Sequence, residues 1–568
     1  MFDSCIPAVP FCWQPYVPVV EPVNKPQTDT MLTDAFMPVS VPGFLPGFSL
    51  TASVVMLLSR KPRAAVRTVL FIGTVVVVAV WYLSPDSPSL VPCNDCVPRW
   101  ATGRDPHESP LSPWHSPQRH SGIHESNLQH PIPEAYRKPP EQAPFCSKRF
   151  GIPYLESLRD SATDYCTPES SSASSSDLTC FHSQTFEQRV DSMCIGRNAR
   201  FDHIRQEFRV GCEPVDPETQ SQTKTGVPVP EWGYFEMYMY QTGPGYIVDN
   251  WLTVGKKKGP GSDIELSKPP KSTPQFTILV KREGEGNLWH CLVEQLSVFL
   301  SMDVLQMSSR PGEDRPYFTE VDIANTQVVF LDDRPDGPYA DIWGVFAKKP
   351  LRRFKELQPE ETTFENVIVP MAGGGNPLWE HSWDIHACED SPLIRTFARR
   401  VLDHYGIEDH QPHRLDPQII LTFIDRSQTR VLLNHTRFFD EVQATYPHVK
   451  VQSIDFANIS FAEQLEVVQH TDILVGVHGA GMAHEMFLTP GSGLVEILPA
   501  GVNFKGYRNV AHLVGLSYFS AHADAPRNSG DEDWHGEDVV VDRAPFMAIM
   551  DAAIKSMYNK GNRNYDVA

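Results

Sequence analysis

Apolar runs alternate with stretches of helical spacing between residues 417 and 499. Short, β-branched apolar runs are typical of buried strands, whereas apolar residues three or four positions apart are typical of amphipathic helices. Four strands alternating with three helices favour a parallel, doubly wound α/β sheet. The predicted strands are 418–424, 449–451, 472–477 and 493–498.

The predicted helices between these strands have local signals of their own. Phe438, Phe439 and Val442 recur at helical spacing after the first strand. Ser460 and Glu463 form a capping box, which indicates where the second helix begins. The third helix is predicted to be short, at 482–488, directly after the third strand.

The loop after the third predicted strand consists of small residues, with His478 followed by Gly479, Ala480 and Gly481. In a parallel sheet, ligands bind at the carboxyl ends of the strands, where backbone N–H groups at helix starts contact phosphates. Small residues let a diphosphate approach the backbone, and His478 is placed to hydrogen-bond it. The alternative is a tight turn that needs glycine for its dihedral angles.

Two arginines follow the first strand and one glutamate ends the last. Arg426 and Arg430 stand where guanidinium groups clamp phosphate oxygens bidentately, with a solvated loop as the alternative. Glu496 is placed to accept hydrogen bonds from ribose hydroxyls, with a buried, paired glutamate as the alternative.

Residues 68–83 form a run of uncharged, mostly apolar residues. As a helix this run is about 24 Å long, which suits a thin membrane. Arg60, Lys61, Arg63 and Arg67 precede it, so the positive-inside rule places the N-terminus in the cytosol. The alternative for residues 68–83 is a buried element of a soluble domain. Residues 36–59 are also uncharged but are interrupted by prolines, and whether they form a second span is left open. We expect a single-pass type II protein of the Golgi or endoplasmic reticulum membrane.

Cysteine and proline usage agree with a lumenal C-terminal part. Thirteen prolines fall between residues 84 and 144, which is typical of an extended stem. Nine of the eleven cysteines follow the apolar run, and five lie between 146 and 212, so we expect disulfides of unspecified connectivity. Cys93 and Cys96 form a C-x-x-C without a second pair at zinc spacing. Asn434 and Asn458 are glycosylation acceptors.

The charge balance excludes one class of partner. The 568 residues include 49 Lys and Arg against 70 Asp and Glu, a formal net charge of −21. Nucleic-acid binding needs a basic surface that displaces counterions from phosphates, so no nucleic-acid partner is expected. Nothing in the sequence defines an oligomeric state.

The run ILVGVHGAGMAHEMFLTPGSGLVEILP at 473–499 strongly resembles the signature of glycosyltransferase family 61. Three further segments are similar to the family in the same order. The resemblance extends over about residues 180–520. The three segments are GNLWHCLVEQLSVFL at 286–300, VVFLDDRPDGPYADIW at 328–343 and TFIDRSQTRVLLN at 422–434.

This resemblance implies a GT-B fold of two Rossmann-like lobes behind the membrane anchor and stem. It also implies inverting transfer of GlcNAc or xylose from a uridine-diphosphate sugar to a glycan or protein hydroxyl. Where the better-known members have a Leu-rich helix after HGAG, this chain has MAHEMF, with His484 and Glu485 beside the donor loop. The donor sugar is therefore left open.

Inverting transfer needs a base for the acceptor proton and groups that neutralise the departing diphosphate. The candidates for the base are His290, Asp333 and Asp341. The alternative role for His290 is packing inside its helix. The alternative role for Asp332 and Asp333 is to form a turn after a strand at 326–331. Adjacent carboxylates also suit a divalent cation. Because arginines and amides usually hold the diphosphate in GT-B enzymes, no cofactor is predicted to be required.

The expected organisation is a tail, an anchor, a stem, two lobes and a C-terminal segment. A catalytically silent, glycan-binding or scaffold protein of the same fold is the alternative function. A lyase or epimerase would show a Gly-rich Rossmann turn after its first strand, which is not found. The predicted segments are the cytosolic tail 1–67, anchor 68–83, lumenal stem 84–177, acceptor-side lobe 178–405, nucleotide-sugar lobe 406–525, and 526–568 with a helix near 544–558.

Overall fold

The computed structural model places its described residues in one compact unit within 118–568. The predicted tail, the anchor at 68–83, the stem up to residue 129, and Cys93 with Cys96 lie outside the described residues. Residues described are 130–137, 142–168, 175–186, 188–215, 223–255, 274–359, 361–409, 418–524, 536 and 538–558.

The first part of the described chain is built on a ten-stranded mixed sheet. Its strands are β1 (Thr163–Thr167), β2 (Asp177–Ser183), β3 (Asp191–Asp202), β4 (Glu207–Val210), β5 (Glu213–Pro214), β6 (Leu252–Val254), β7 (Phe276–Val280), β8 (Thr326–Phe330), β9 (Arg352–Arg353) and β10 (Thr363–Val369). They follow the order β5-β1-β2-β3-β10-β7-β8-β9, and β4 pairs with β3 and β6. The pairs β10–β7 and β7–β8 are parallel, and the strand predicted at 326–331 is confirmed as β8.

The second sheet has five parallel strands in the order β12-β11-β13-β14-β15. These are β11 (Ile419–Asp425), β12 (Val449–Asp455), β13 (Ile473–Val477), β14 (Gly493–Leu498) and β15 (Ser517–His522). The four predicted strands and the parallel sheet are confirmed. The fifth strand was not predicted, because its residues are half-buried or exposed and it has no apolar run.

Ten α-helices surround the sheets within the described ranges. The predicted capping box is confirmed, with Ser460 N donating to Glu463 Oε2 at 2.8 Å. The short helix predicted at 482–488 is instead a 3₁₀ turn, Ala480–Phe487, which begins within HGAG. The helices are α1 (Pro144–Phe150), α2 (Ile152–Asp160), α3 (Gly243–Trp251), α4 (Leu288–Gln306), α5 (Pro377–Glu380), α6 (Pro392–Tyr405), α7 (His435–Thr445), α8 (Phe461–Gln469), α9 (Gly506–Leu513) and α10 (Arg543–Ser556).

One hydrophobic core joins the two sheets. It includes Leu292 and Phe299 of α4 together with Met482, Leu494 and Tyr507 from the second part of the chain. Helix α4 is long and apolar enough to cross a membrane, but 94% of its apolar window is buried in the fold. It therefore serves as the central core helix.

The folded part begins earlier than the predicted boundary at 178, which is wrong. Tyr154, Leu155 and Leu158 of α2 are buried in the shared core, and a disulfide joins Cys146 to Cys388. Short segments near a proline-rich stretch gave no periodic signal, so only their tertiary contacts reveal them. The expectation of disulfides is confirmed; the other pairs are Cys166–Cys212 and Cys180–Cys194, and Cys291 is free and buried.

Candidate functional site

The order of the second sheet creates a switch point between β11 and β13. The chain runs from β11 to β12 on one side and then crosses to β13 on the other. Ile424 and Gly476 are register partners, so the two strands end at the same edge. In sheets of this topology, ligands bind in the crevice at the carboxyl ends beside the switch point. The loops predicted to bind the donor leave from these two strands.

Arg430 and His478 meet across this crevice. Arg430 Nη1 donates to the carbonyl oxygen of His478 at 2.9 Å. Gly479 adopts φ 148°, a backbone conformation that favours glycine, and a Cβ there would lie 2.8 Å from Nη1 at the flexible end of Arg430. The dihedral angle of Gly479 agrees with the turn reading of HGAG, and diphosphate binding by this loop stays a prediction.

The two arginines form a partly buried cationic pair. Burial lowers the pKa of Arg426, and burial followed by the charge of Arg426 lowers the pKa of Arg430 to about 10. Both remain protonated at neutral pH. Arg426 Nε is held by the carbonyl of Thr429 at 2.8 Å. Two like charges held together in a low-dielectric setting are stabilised by a bound anion.

Glu496 supports His478, and its predicted contact with ribose needs correcting. The side chain is fully buried, Oε1 accepts a hydrogen bond from His478 Nδ1 at 2.6 Å, and Oε2 accepts one from Tyr518 at 2.5 Å. Strand β14 carries it inside the sheet, away from solvent. The alternative of a buried, paired glutamate is therefore correct, and the pair fixes the orientation of the imidazole.

His484 and Glu485 lie beside the HGAG loop. His484 Nδ1 donates to the carbonyl of Gly481 at 2.8 Å, and burial lowers the pKa of its imidazole to about 4. Glu485 is fully buried, and neither carboxyl oxygen has a hydrogen-bond partner among the described residues. Burial, with the nearby charge of Glu496, raises its pKa well above the usual range. Ala480 begins the 3₁₀ turn that carries both residues.

His290 lies in the first turn of α4 with a carboxylate behind it. Its Nδ1 donates to Glu283 Oε2 at 3.0 Å, and the other oxygen of Glu283 accepts from Gly374 N at 3.0 Å. Tyr240 packs edge-on at 4.9 Å and Trp379 at 5.1 Å between ring centroids. The ring is partly exposed, and its Nε2 has no hydrogen-bond partner among the described residues. This is the arrangement that a general base requires.

An aromatic cluster of Trp289, Phe504 and Tyr507 links the two histidines. Trp289, next to His290, contacts Tyr507 at 5.3 Å and Phe504 at 5.9 Å between ring centroids. Those two rings contact His478 at 5.4 Å and 5.5 Å. Trp289, the neighbour of His290 in the chain, therefore packs with two rings that also contact His478.

The aspartates predicted as base candidates make other contacts. Asp333 has 79% of its side chain exposed and pairs with Lys355 at 2.8 Å. Asp341 is exposed and lies beside His404. Asp332 binds Arg282 through 2.7 Å and 3.2 Å bonds, and these bonds lower its pKa against the opposing effect of burial. The turn was the alternative for this pair of aspartates, and the geometry favours it.

Two further predictions concern a metal ion and glycan attachment. In the described part of the chain, no group of three His, Cys, Asp or Glu residues is arranged to hold a metal ion. A metal-independent reaction stays a prediction. Asn434 and Asn458 are both exposed, as glycan attachment requires.

Sequence reasoning missed Glu283, Trp379, Phe504 and Tyr507. Glu283 stands in the segment REGEGN before α4, where its charge resembled any solvated loop. The aromatic residues come from two segments more than a hundred residues apart, 379 and 504–507. Only the tertiary fold shows that they surround the same histidines.

The crevice at the switch point holds Arg426 and Arg430 next to His478. Such an arrangement of cationic and hydrogen-bonding groups can bind the anionic leaving group of a transfer reaction. Residues 288–495 match the model of the family Glycosyltransferase 61. The predicted resemblance to this family is confirmed.

Relatives similar to this chain include proteins named EGF domain-specific O-linked N-acetylglucosamine transferase. The Drosophila melanogaster protein is 26% identical over 253 residues, which is 44% of this chain and 45% of that protein. The Rattus norvegicus protein is 23% identical over 372 residues, 63% of each chain. The Pan troglodytes protein is 24% identical over 267 residues, 45% of this chain and 46% of that protein. The chain thus matches about half to just under two thirds of these relatives.

Proposed function

We propose that this protein is an inverting glycosyltransferase that moves GlcNAc from a uridine-diphosphate sugar to a protein or glycan hydroxyl. The single observation that carries the proposal is the convergence of Arg426, Arg430 and His478 at the switch point. GlcNAc is favoured over xylose because the relatives that match are named N-acetylglucosamine transferases. Their name also makes a folded EGF domain the first acceptor to test.

In the proposed reaction, His290 Nε2 takes the proton of the acceptor hydroxyl. The Glu283 carboxylate balances the imidazolium that forms. The acceptor oxygen attacks the anomeric carbon from the face opposite the diphosphate, so the new glycosidic bond forms as the old one breaks and the configuration inverts. The bond electrons leave with the diphosphate.

The departing diphosphate gains negative charge as the bond breaks, and the cationic loops would neutralise it. Arg426 and Arg430 supply guanidinium groups, and Glu496 orients the ring of His478. Stabilisation of charge that develops in the transition state lowers the barrier more than it strengthens ground-state binding. The two sheets would be the two lobes of a GT-B enzyme, with the donor on the second and the base on the first.

The proposal places catalysis in the lumen of the secretory pathway, with residues 68–83 as the anchor. The disulfides and the exposed Asn434 and Asn458 support an oxidising, glycosylating compartment. Protein made in a eukaryotic host should shift in gel mobility after endoglycosidase treatment. In sealed microsomes, added protease should spare everything after residue 100. Digestion of that part would show that the proposed orientation in the membrane is wrong.

The direct test of activity is a donor screen with the full-length protein. Uridine-diphosphate sugars, including GlcNAc and xylose, are offered with a folded EGF domain and with free oligosaccharides, with and without a chelator. We expect transfer from the GlcNAc donor, retained in the chelator. Binding of uridine diphosphate with no turnover on any pair would support the silent, glycan-binding alternative instead.

A further inference from the structure

A buried charged cluster lies between the start of β3 and the end of α5, and the proposed reaction does not use it. Its centre is Arg189, whose Nη2 donates to Glu380 Oε1 at 2.6 Å and whose Nε lies 3.3 Å from Asp191 Oδ1. The side chains of both acids are fully buried, whereas 24% of the Arg189 side chain is exposed. One guanidinium therefore bridges two carboxyl groups inside the fold.

The two acids of this cluster hold one proton at neutral pH. Burial, followed by the charge of Glu380, raises the pKa of Asp191 well above its usual range. Asp191 therefore stays protonated, and within the cluster Glu380 carries the charge that balances Arg189. Because charge-assisted hydrogen bonds between buried groups need both partners in place, the cluster favours one arrangement of the segments that carry it.

Arg189 also bonds to the glycine turn at 373–375, which contacts the partner of the candidate base. Its Nη2 donates to the carbonyl oxygen of Gly374 at 2.8 Å, and Gly374 N donates to Glu283 Oε1 at 3.0 Å. Glu283 Oε2 in turn accepts a hydrogen bond from His290 Nδ1 at 3.0 Å. A series of hydrogen bonds through Gly374 therefore leads from Arg189 to the imidazole.

The two rings that pack on His290 are held by the same cluster. Trp379, 5.1 Å from the imidazole between ring centroids, is followed directly by Glu380. Tyr240, at 4.9 Å, comes two residues after Tyr238, whose hydroxyl donates to the buried aspartate of the cluster. The cluster thus fixes both segments one or two residues from the points where they contact the imidazole.

We propose that Arg189 is a positioning residue of the transferase, which acts on His290 through Gly374 and through the segments that carry the two rings. The inference rests on the proposed function, because it takes His290 as the base. A general base must lie within hydrogen-bond reach of the acceptor hydroxyl, and a displacement of about 1 Å lowers a rate by up to about a hundredfold. Arg189 suits this role because its planar guanidinium bonds to a carboxylate and a carbonyl at once, in a fixed geometry that a lysine ammonium lacks.

The test compares Arg189→Met and Arg189→Lys in the full-length protein. The matched control is Arg400→Met, because Arg400 pairs at 2.8 Å with the buried Asp303, on the helix that also carries His290. Thermal midpoints check folding, and calorimetric titration of uridine diphosphate checks the donor site. The constants kcat and KM are measured with the best donor and acceptor found, and each substitution is also made in the His290→Ala background.

We expect Arg189→Met to lower kcat about ten- to a hundredfold, while uridine-diphosphate affinity and the KM for the donor stay at wild-type values. Arg189→Lys should lower kcat by a smaller factor, because it keeps the charge but not the fork of donors. Arg400→Met should lower the thermal midpoint and leave kcat unchanged. In the His290→Ala background the loss from Arg189→Met should fall below about twofold, since Arg189 acts through that histidine.

An unchanged kcat in folded Arg189→Met overturns the proposal, and where that variant does not fold, an unchanged kcat in Arg189→Lys does so. An equal loss of kcat with and without His290, or in Arg400→Met, shows a merely structural role and overturns it as well. Absence of turnover in the wild type, or a normal kcat in His290→Ala, would instead remove the proposed reaction, and this inference with it.

Discussion

Removal of the guanidinium of Arg430 is the sharpest test of the donor site. The group sits at the switch point, with Nη1 donating to the carbonyl of His478 at 2.9 Å, and its pKa near 10 keeps it charged at neutral pH. A charge-assisted hydrogen bond contributes about 1.5–3 kcal/mol. Arg430→Ala should therefore weaken uridine-diphosphate binding about ten- to a hundredfold.

The assay is calorimetric titration of uridine diphosphate at two salt concentrations, beside turnover on the best donor. The rate constant kcat should fall further than nucleotide affinity, because the diphosphate gains charge only as the glycosidic bond breaks. Arg430→Lys should recover only part of the affinity, since an ammonium cannot make a bidentate contact. The matched control is Arg437→Ala, because Arg437 is an exposed cation on α7, the helix that follows β11. This variant should keep the wild-type nucleotide affinity and kcat.

One result would refute this reasoning. Wild-type nucleotide affinity in a well-folded variant carrying both Arg426→Ala and Arg430→Ala would mean that the switch-point cations do not bind the diphosphate. Loss of affinity in the Arg437→Ala control would show instead that the effect is a general one of net charge.

Three further predictions address the base, the buried acid and the long-range disulfide. His290→Ala should lower kcat about 10²- to 10⁴-fold and leave nucleotide affinity unchanged. Glu283→Gln should lower kcat by a smaller factor. A nearly normal kcat in His290→Ala would exclude His290 as the base. Glu485 holds a proton in the folded state that the unfolded chain releases above about pH 4, so its contribution to stability is present below that pH and lost as pH rises. Glu485→Leu should raise the free energy of unfolding by about 1–3 kcal/mol at pH 7.5 and by less near pH 4, measured by urea titration; an equal gain at both would contradict it. Replacing both Cys146 and Cys388 by serine should lower the free energy of unfolding by about 2–5 kcal/mol, and an unchanged thermal midpoint would show that the bond does not restrict the unfolded chain.

The second sheet was predictable because its strands carry their own signals. Each is a short apolar run, and residues such as Ser460 and Glu463 mark a helix start through contacts only three positions apart. Strand β15 lacked such a run, and its place at the edge of the sheet depends on pairing with β14. The same limit applied to α2, whose buried residues pack against segments far along the chain.

The meeting of the loops after β11 and β13 was also predictable, but the surroundings of their individual residues were not. The position of Arg430 and His478 after two strands of one parallel sheet implied that they would lie close together, and they do. The sequence could not show that Glu496 turns inward to His478 and Tyr518, since a strand-end carboxylate looks the same whether it faces ligand or core. Asp333 was as plausible a base as His290 until their surroundings were known.

The sequence by itself determined the parallel second sheet, the capped helix, the loops at the switch point and the resemblance to the family, because these depend on spacing along a single stretch of chain. Only the tertiary structure decided which groups work together: Glu283 behind His290, and Trp289 between that histidine and Tyr507. Trp289 and Tyr507 are more than two hundred residues apart, and although Glu283 and His290 are near in the chain, local periodicity does not record their contact. The physical reason is that a carboxylate or an aromatic ring acquires its role from burial and neighbours, which exist only once the two sheets share a core.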